Sequence, residues 1–249
     1  MKSIILCEGI TDRTLLQYYL EKVYHWEYER TESGFLQERI RDYQGMKNHD
    51  DRLLLANCGG CSKILPAFEK IVERNRLSAG NESYENIVII TDRDEAGTEE
   101  SVIQQTEQIL AEQEITLWTS MENAKWVSGT YQDGSGHVRE MRILLLVIPF
   151  EETGAMETFL LQAISRQDPY DAEIIRKGNE FVRTADPEER YLNHNKYKIK
   201  AEFDVYFSVR TSSTQFGERK NILKNVPWEQ YTLIQTSFQK LEELSSNRR

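Results

Sequence analysis

Residues 3–12 read Ser3-Ile4-Ile5-Leu6-Cys7-Glu8-Gly9-Ile10-Thr11-Asp12, a short apolar run followed directly by acidic positions. The same order recurs at Ile87-Val88-Ile89-Ile90-Thr91-Asp92-Arg93-Asp94. Short runs rich in β-branched residues are typical of buried strands, and a helical pattern follows both of these runs. Strands that alternate with helices predict an α/β fold, with a mainly parallel sheet flanked by helices.

The acidic residues after the two strands are the main candidates for a functional site. In an open α/β sheet, ligands bind at the carboxyl ends of the parallel strands. Glu8 and Asp12 are therefore expected to face the same crevice as Asp92 and Asp94. Four crowded carboxylates repel one another unless a cation lies between them. Oxygen ligands without a His/Cys set favour Mg²⁺ or Mn²⁺ over zinc, so the sequence predicts a divalent-metal site.

Other patterns fill in the predicted sheet. Leu53 to Ala56 predicts a further strand that ends in Asn57-Cys58-Gly59-Gly60, whereas residues 27–50 are polar and irregular, with a short helix around Phe35 to Ile40. The turn signal Asp133-Gly134-Ser135-Gly136 predicts that residues 115–148 form one strand plus a hairpin added to the sheet.

The rest of the chain is predicted to be helical. Helical patterns cover Met156 to Ile164 and then residues 170–182, 195–209 and 229–244. We therefore expect an α/β core over residues 1–165 and a helical extension over residues 166–249 that packs on it.

Composition narrows the classes of function. The chain has 249 residues, of which 39% are hydrophobic, enough for a substantial core. Its net charge of −10 argues against tight, unaided binding to nucleic acid, because proteins that bind nucleic acid nonspecifically usually carry a basic excess.

No apolar stretch approaches the roughly 20 residues of a membrane span. Three cysteines are too few for a disulfide framework, and we expect a cytoplasmic protein.

Taken in order, the three strand-end motifs resemble the Toprim domain of topoisomerases, primases and OLD-type nucleases. The motifs are Glu8-Gly9 with Asp12, then Gly59-Gly60, then Asp92 and Asp94 with Gly97. The likeness is greatest to stand-alone Toprim proteins and the OLD-type branch. It implies a Rossmann-like Toprim core and nucleic acid as substrate or partner.

The resemblance also implies residue roles. Mg²⁺ or Mn²⁺ would be held by five carboxylates: Glu8, Asp12, Asp92, Asp94 and Glu157. Glu8 would also be catalytic, together with a lysine on a later helix. Lys196, Lys198 and Lys200 are the candidates, and Lys200 is chosen because Ala201 and Phe203 follow it on a helix expected to pack inward. Four glycines would let backbone and phosphate approach closely: Gly9, Gly59, Gly60 and Gly97.

Each of these residues also has a structural interpretation. Glu8, Asp12 and Glu157 occupy positions where helix starts favour acids, and Asp92 and Asp94 suit a polar turn. Any one lysine is commonly part of a solvated face.

Two further patterns have a functional and a structural interpretation. Cys58 and Cys61 have the spacing of a redox pair or half a zinc site, but no second Cys/His pair exists, so small buried residues are favoured. One aromatic group could stack bases, although core packing is favoured. Its members are Tyr18, Tyr19, Tyr24, Trp26 and Tyr28.

Three functions are compatible with the sequence. The first is a metal-dependent nuclease acting on DNA or RNA by a one- or two-metal mechanism. The second is a non-catalytic or partner-dependent Toprim-fold module that binds nucleic acid or regulates, working with a separate protein partner. The third is a different Asp-x-Asp enzyme, such as a haloacid-dehalogenase-type phosphatase or a nucleotide-sugar transferase, which leaves Glu8 and Asp12 unexplained. No Walker-type phosphate loop is present, so the ATPase half of OLD proteins is missing.

Overall fold

The computed structural model describes residues 1–31, 36, 38–78, 82–212, 223–224 and 226–246. Within these residues, eight strands form a single mixed sheet. The strands are β1 (Lys2–Cys7), β2 (Glu27–Tyr28), β3 (Asp42–Asn48), β4 (Asp51–Asn57), β5 (Asn86–Asp92), β6 (Thr116–Leu117), β7 (Trp126–Gln132) and β8 (Val138–Ile148). Their order across the sheet is β2-β3-β4-β1-β5-β8-β7-β6. The predicted α/β class is confirmed.

Helices cover both faces of the sheet. The α-helices are α1 (Ile10–Tyr24), α2 (Cys61–Leu77), α3 (Thr98–Glu112), α4 (Met156–Gln167), α5 (Pro169–Ala185), α6 (Asn195–Arg210) and α7 (Thr232–Phe238). Two 3₁₀ helices flank α7, over Trp228–Gln230 and Gln239–Leu244. The helix predicted over residues 229–244 is thus divided into three short pieces, whereas those predicted over 170–182 and 195–209 are confirmed as α5 and α6.

The four central strands β4, β1, β5 and β8 run parallel, and the strands outside them are antiparallel to their neighbours. Cys7 lies opposite Asn57 of β4 and Ile90 of β5, so β1 and β4 end at the same level and β5 continues two residues further, to Asp92. The chain crosses from β1 to β4 on one side and from β5 to β8 on the other. The direction of winding therefore reverses between β1 and β5, which is where ligands bind in open α/β sheets.

The side-chain alternation of the central strands divides the core into two clusters. Ile5 of β1 faces a cluster that includes Leu16 of α1 and Phe159 of α4. Ile4 faces the opposite cluster, which includes Phe68 of α2 and Leu110 of α3. Successive strand residues point to opposite faces, and both faces here are covered, so the central strands are apolar throughout.

The C-terminal helices belong to the first of these clusters. Phe203 of α6 and Phe238 of α7 are buried together with Ile5 and Leu16. The ring of Phe238 contacts the ring of Tyr19 edge-on, with centroids 5.3 Å apart. Within the described residues, the segment predicted as a helical extension therefore completes one face of the α/β core.

Strand β3 is absent from the sequence-based prediction, which treated residues 27–50 as irregular. It pairs antiparallel with β4 through a tight turn at His49 and Asp50, with His49 at a φ of 52°. The strand has little apolar alternation, because Met46 is its only buried large side chain, and its turn lacks the usual Asn-Gly signal. The short helix predicted around Phe35 to Ile40 lies partly outside the described residues, and Leu36 is in a 3₁₀ turn.

The added hairpin is confirmed as β7 and β8, joined through the predicted Asp133-Gly134-Ser135-Gly136 turn. The Asp133 carboxylate accepts hydrogen bonds from the backbone N–H groups of Ser135 and His137 and from Arg139. Among the described helices, none combines the length and the apolar character needed to cross a membrane.

Candidate functional site

Glu8 follows β1 and reaches across to the end of β5. Its Oε1 accepts a hydrogen bond of 2.6 Å from Oγ1 of Thr91 and one of 2.9 Å from the backbone N–H of Asp92. β5 extends past the end of β1 by Thr91 and Asp92, which places both residues beside Glu8. The carboxylate of Glu8 is therefore fixed at the point where the winding direction of the sheet reverses.

The backbone of Glu8 also connects to the end of β4. Its carbonyl accepts hydrogen bonds from the N–H groups of Gly59 (2.9 Å) and Gly60 (3.0 Å). These glycines have φ values of +81° and +132°, which other residues rarely adopt. Nothing lies within 4 Å of a Cβ built on Gly60 or Gly97, so the space beside both glycines is open. Gly97 has an ordinary φ of −88° and needs no glycine for its conformation.

Asp12 lies in the first turn of α1, and only 6% of its surface is exposed. Its Oδ2 accepts a 2.8 Å hydrogen bond from the backbone N–H of Gly9. The N-cap of α1 is Gly9, and Asp12 is the third residue of the helix, from which its side chain accepts the N–H of the capping residue. The hydrogen bond from Gly9 uses only one of the two carboxylate oxygens of Asp12, so it does not exclude a role of Asp12 as a metal ligand.

The start of α4 brings a further carboxylate to the same place. Oδ1 of Asp92 accepts a 2.9 Å hydrogen bond from the backbone N–H of Met156, the first residue of α4. The next residue, Glu157, is buried, and its Oε1 lies 3.4 Å from Oγ1 of Thr11 on α1. The start of α4 therefore contacts both the end of β5, through Asp92, and α1, through Glu157, although these elements are far apart in the sequence.

The electrostatics show that these carboxylates converge. Burial, together with the charges of Glu157 and Glu8, raises the pKa of Asp12 from its ordinary 3.8 to about 7, although the hydrogen bond from Gly9 acts to lower it. Burial also raises the pKa of Asp92 well above its usual range, with further contributions from Asp12, Glu8 and Glu157. The pKa of Glu8 is raised by burial and lowered in part by Thr91 and Asp92. Without a cation, the cluster holds its protons unusually tightly.

Asp94 lies at the exposed rim of this cluster. Burial and the charge of Glu95 raise its pKa, and its own charge contributes to the raised pKa of Glu8. Of the five predicted carboxylates, Asp12 and Glu157 are buried and Glu8 and Asp92 are half-buried beside them, whereas Asp94 is exposed at their edge.

The arginines next to the cluster are engaged elsewhere. Nε of Arg13 lies 2.8 Å from Oδ1 of Asp42, an ion pair whose angle is unsuitable for a hydrogen bond. Arg93 pairs with Glu99 and donates to the carbonyl of Pro149. Within the described chain, no lysine or arginine forms an ion pair with Glu8, Asp12, Asp92 or Asp94.

The clustered side chains offer only oxygen atoms, which are the ligand atoms that Mg²⁺ and Mn²⁺ prefer. In the described residues, however, no three acidic, histidine or cysteine side chains already form a group that could hold a metal ion. Glu8, Asp12 and Asp92 are each turned towards a backbone N–H donor instead. A shared ion would require rotation of these side chains from their present hydrogen bonds.

The three candidate lysines lie at the start of α6. Lys198 forms an ion pair of 2.7 Å with Glu189, and Nζ of Lys196 lies 5.3 Å from the ring centre of Tyr197. Lys200 is exposed, and no contact of the described residues connects it to the carboxylates. The inward packing expected of this helix is confirmed by the burial of Phe203, but the choice of Lys200 remains a prediction.

Thr91 and Thr11 were not among the predicted site residues. Each hydroxyl contacts one of the clustered carboxylates, Thr91 that of Glu8 and Thr11 that of Glu157. Their positions beside the acidic motifs were visible in the sequence. A threonine at a strand end or in a first helical turn is common, however, so the sequence around Thr11 and Thr91 did not identify them as site residues.

Cys7 and Cys58 are buried and free, as predicted, while Cys61 is free and exposed at the start of α2. Burial raises the pKa of Cys58 to about 12, which keeps it a thiol. In the aromatic group, Tyr19 and Trp26 lie in the core, and Tyr18 and Tyr24 pack against it. The core interpretation is confirmed for these four, whereas Tyr28 is exposed.

Comparison with solved structures finds similar chains. A hypothetical protein from Pyrococcus horikoshii OT3 is similar over 98% of both chains, with a TM-score of 0.51 and 15% sequence identity. A glyoxalase/bleomycin resistance protein/dioxygenase family enzyme from Burkholderia phytofirmans PsJN covers 57% of this chain and 97% of its own, with 11% identity and a TM-score of 0.18. The first similarity supports the fold alone, and the second carries no argument.

No curated protein matches the sequence significantly. A family model described as "Protein of unknown function (DUF3226)" matches residues 2–237, nearly the whole chain. The chain therefore belongs to the DUF3226 family.

Proposed function

We propose that this protein is a Mg²⁺- or Mn²⁺-dependent nuclease of Toprim type, which cleaves phosphodiester bonds of DNA or RNA. One observation carries the proposal. The carboxylates of Glu8, Asp12, Asp92 and Glu157 converge where the winding of the sheet reverses, and no arginine or lysine of the described residues forms an ion pair with the first three. A cluster of this kind is stable in its ionised form only with a cation, and it occupies the usual ligand position of the fold.

The arrangement of the three motifs supports the Toprim assignment of the core. Glu8 and Asp12 follow β1, Gly59 and Gly60 follow β4, and Asp92 ends β5. These strands are direct neighbours in the order β4-β1-β5, so motifs that are distant in sequence lie along one short stretch of the sheet edge.

In the proposed site, Glu8, Asp12, Asp92, Asp94 and Glu157 would hold one or two ions. The bound ions would supply an activated water and stabilise charge on the reacting phosphate. Thr91 orients the carboxylate of Glu8, and Gly60 and Gly97 leave room for a phosphate beside the strand ends. Lys200 would neutralise negative charge on the phosphate from the side of α6.

A partner-dependent nucleic-acid-binding or regulatory module is the second candidate. The net charge of −10 favours it, because the chain lacks the basic excess that holds nucleic acid without assistance. The hydrogen bonds that turn Glu8, Asp12 and Asp92 towards backbone donors favour it as well. In this case the carboxylates would bind metal without turnover.

Cleavage assays distinguish the two candidates. Labelled single- and double-stranded DNA and RNA are incubated with Mg²⁺ or Mn²⁺ and with the wild type, Glu8→Gln, Asp92→Asn or Glu140→Gln. Glu140 is exposed near the start of β8, at the opposite end of the sheet from the carboxylates, so its variant is a matched acid-to-amide control. The proposal expects metal-dependent cleavage that both site variants lose and the control retains. Calorimetric metal binding without cleavage of any substrate would support the regulatory module.

A further inference from the structure

A cleft between α2 and α3 extends from the carboxylate cluster along one face of the sheet. It has a volume of about 550 Å³, and Thr91, Asp92 and Asp94 form one end of it. Clefts of about 300–1,000 Å³ are typical of sites for small molecules or for one group of a larger substrate. A substrate whose phosphate is held by the proposed metal ions at Asp92 and Asp94 would place its neighbouring group in this α2–α3 cleft.

The chemistry of the lining restricts what the cleft can hold. Leu65 and Pro66 of α2 face Val102 and Ile109 of α3, and all four side chains remain half-buried in the described structure. The ionisable lining residues other than Cys61 are acids, and no lysine or arginine is among the lining residues. The cleft therefore disfavours a phosphate and suits an uncharged, flat group that can lie between aliphatic side chains.

We propose that the α2–α3 cleft binds the base of the nucleotide adjacent to the scissile phosphate, an inference that rests on the proposed nuclease function. Gln105 and Gln108 of α3 line the cleft with amide groups. Their nitrogens donate to Ser101 and Glu112 of the same helix, exposed bonds that these side chains would exchange for the edge of a base. A base enters such a cleft only when it is unstacked and unpaired. The protein therefore prefers single-stranded nucleic acid to a duplex.

The test separates base binding from cleavage. A fluorescent single-stranded DNA octamer, a fully abasic octamer and a duplex are titrated with the protein in Ca²⁺, and the same strands are then assayed for cleavage in Mg²⁺ or Mn²⁺. The cleft is filled by Gln105→Trp, and Gln104→Trp is the matched control. Both glutamines are exposed on α3, but Gln104 does not line the cleft. Circular dichroism confirms that both variants are folded.

The wild type and Gln104→Trp are expected to bind the natural strand about tenfold more tightly than the abasic strand or the duplex, a contribution within the range measured for one stacked base. Gln105→Trp is expected to lose that preference. Equal binding of the natural and abasic strands by the wild type, or no binding of either, overturns the base site whether or not cleavage occurs. Base-dependent binding without cleavage in either metal supports the base site and contradicts the nuclease. A wild-type dimer in sedimentation that only Gln105→Trp dissociates assigns the cleft to a second copy of the chain and also overturns the proposal.

Discussion

The carboxylate of Glu8 accepts a 2.9 Å hydrogen bond from the backbone N–H of Asp92, so the residue that follows β1 is fixed to the last residue of β5. Two acidic motifs that are 84 positions apart in the sequence thus form one site. The hydrogen bond lies where the winding of the sheet reverses, and the proposed metal chemistry depends on both residues.

Asp92→Asn is expected to reduce metal-dependent cleavage by about 100-fold or more, because the variant removes a proposed charged ligand from a buried cluster. The amide keeps the size of the side chain and its ability to accept the hydrogen bond from Met156. Single-turnover rates against Mn²⁺ concentration measure the effect, with Glu140→Gln as the control. Full activity of Asp92→Asn at all metal concentrations would falsify the assignment.

Thr91→Val is expected to reduce cleavage about tenfold without preventing metal binding. The variant keeps the branched shape at the end of β5 but removes the hydroxyl that donates the 2.6 Å hydrogen bond to Glu8. Groups that orient metal ligands typically contribute about 10–100-fold to affinity or activity. Thr91→Ser should restore most of the rate, and Thr106→Val, at a buried threonine of α3 away from the site, should have no effect on it. A rate for Thr91→Val equal to that of Thr106→Val argues against an orienting role.

The metal-free protein is expected to lose stability as the pH rises from about 4 to about 7. The pKa of Asp12 is raised from 3.8 to about 7, so the folded state binds this proton more tightly than the unfolded chain does. The stabilisation is fully present below the unfolded pKa and is lost as the pH rises through the folded pKa. At about 1.4 kcal/mol per pKa unit, its size is on the order of a few kcal/mol.

Urea unfolding in EDTA at several pH values measures this dependence. Asp12→Asn cannot titrate at this position and should show a flatter profile than the wild type. Mg²⁺ added at pH 8 should raise the Tm of the wild type more than that of the variant. Superimposable pH profiles of the two proteins would contradict the raised pKa.

Lys200→Ala is expected to lower kcat about 100-fold with little change in KM, if the lysine neutralises charge that develops during the reaction. Lys198→Ala is the matched control, because Lys198 forms an ion pair with Glu189. The two variants lie two positions apart on α6, so a general disturbance of the helix would affect both. A loss confined to Lys196→Ala would transfer the role to that residue.

Cys58→Ser is expected to leave activity nearly unchanged. The side chain is buried and its pKa is raised to about 12, so no reactive thiolate is present near neutral pH. We expect a loss of stability of about 1 kcal/mol, because a hydroxyl replaces a thiol in an apolar environment. A large loss of cleavage with an unchanged Tm would indicate thiol chemistry instead.

The sequence predicted those strands and helices that are apolar because they are buried. β1 and β5 are buried on both faces and read as continuous apolar runs, and α1 and α2 show apolar residues at helical spacing. Strand β3 was missed because its hydrogen bonds to β4 require no apolar pattern, and its turn at His49 has no glycine.

For the candidate site, the sequence predicted which carboxylates lie close together but not how they are oriented. Strand ends bring Glu8 and Asp92 together by topology, which the sequence revealed. The direction in which each carboxylate points depends on single donors such as the backbone N–H of Met156 and the hydroxyl of Thr91. Those donors come from elements distant in the chain, so no local pattern identifies them.

The shared core of α1 and the C-terminal helices has a consequence for how the protein reaches its native state. Tyr24 contacts the carbonyl of Phe238, which lies 214 positions later in the chain. During synthesis, the part of α1 that packs on the C-terminal helices stays uncovered until α7 has been made. Contacts between such distant segments form slowly, and exposed apolar surface favours aggregation meanwhile. We therefore expect the nascent chain to be most prone to aggregation before its last helices have docked.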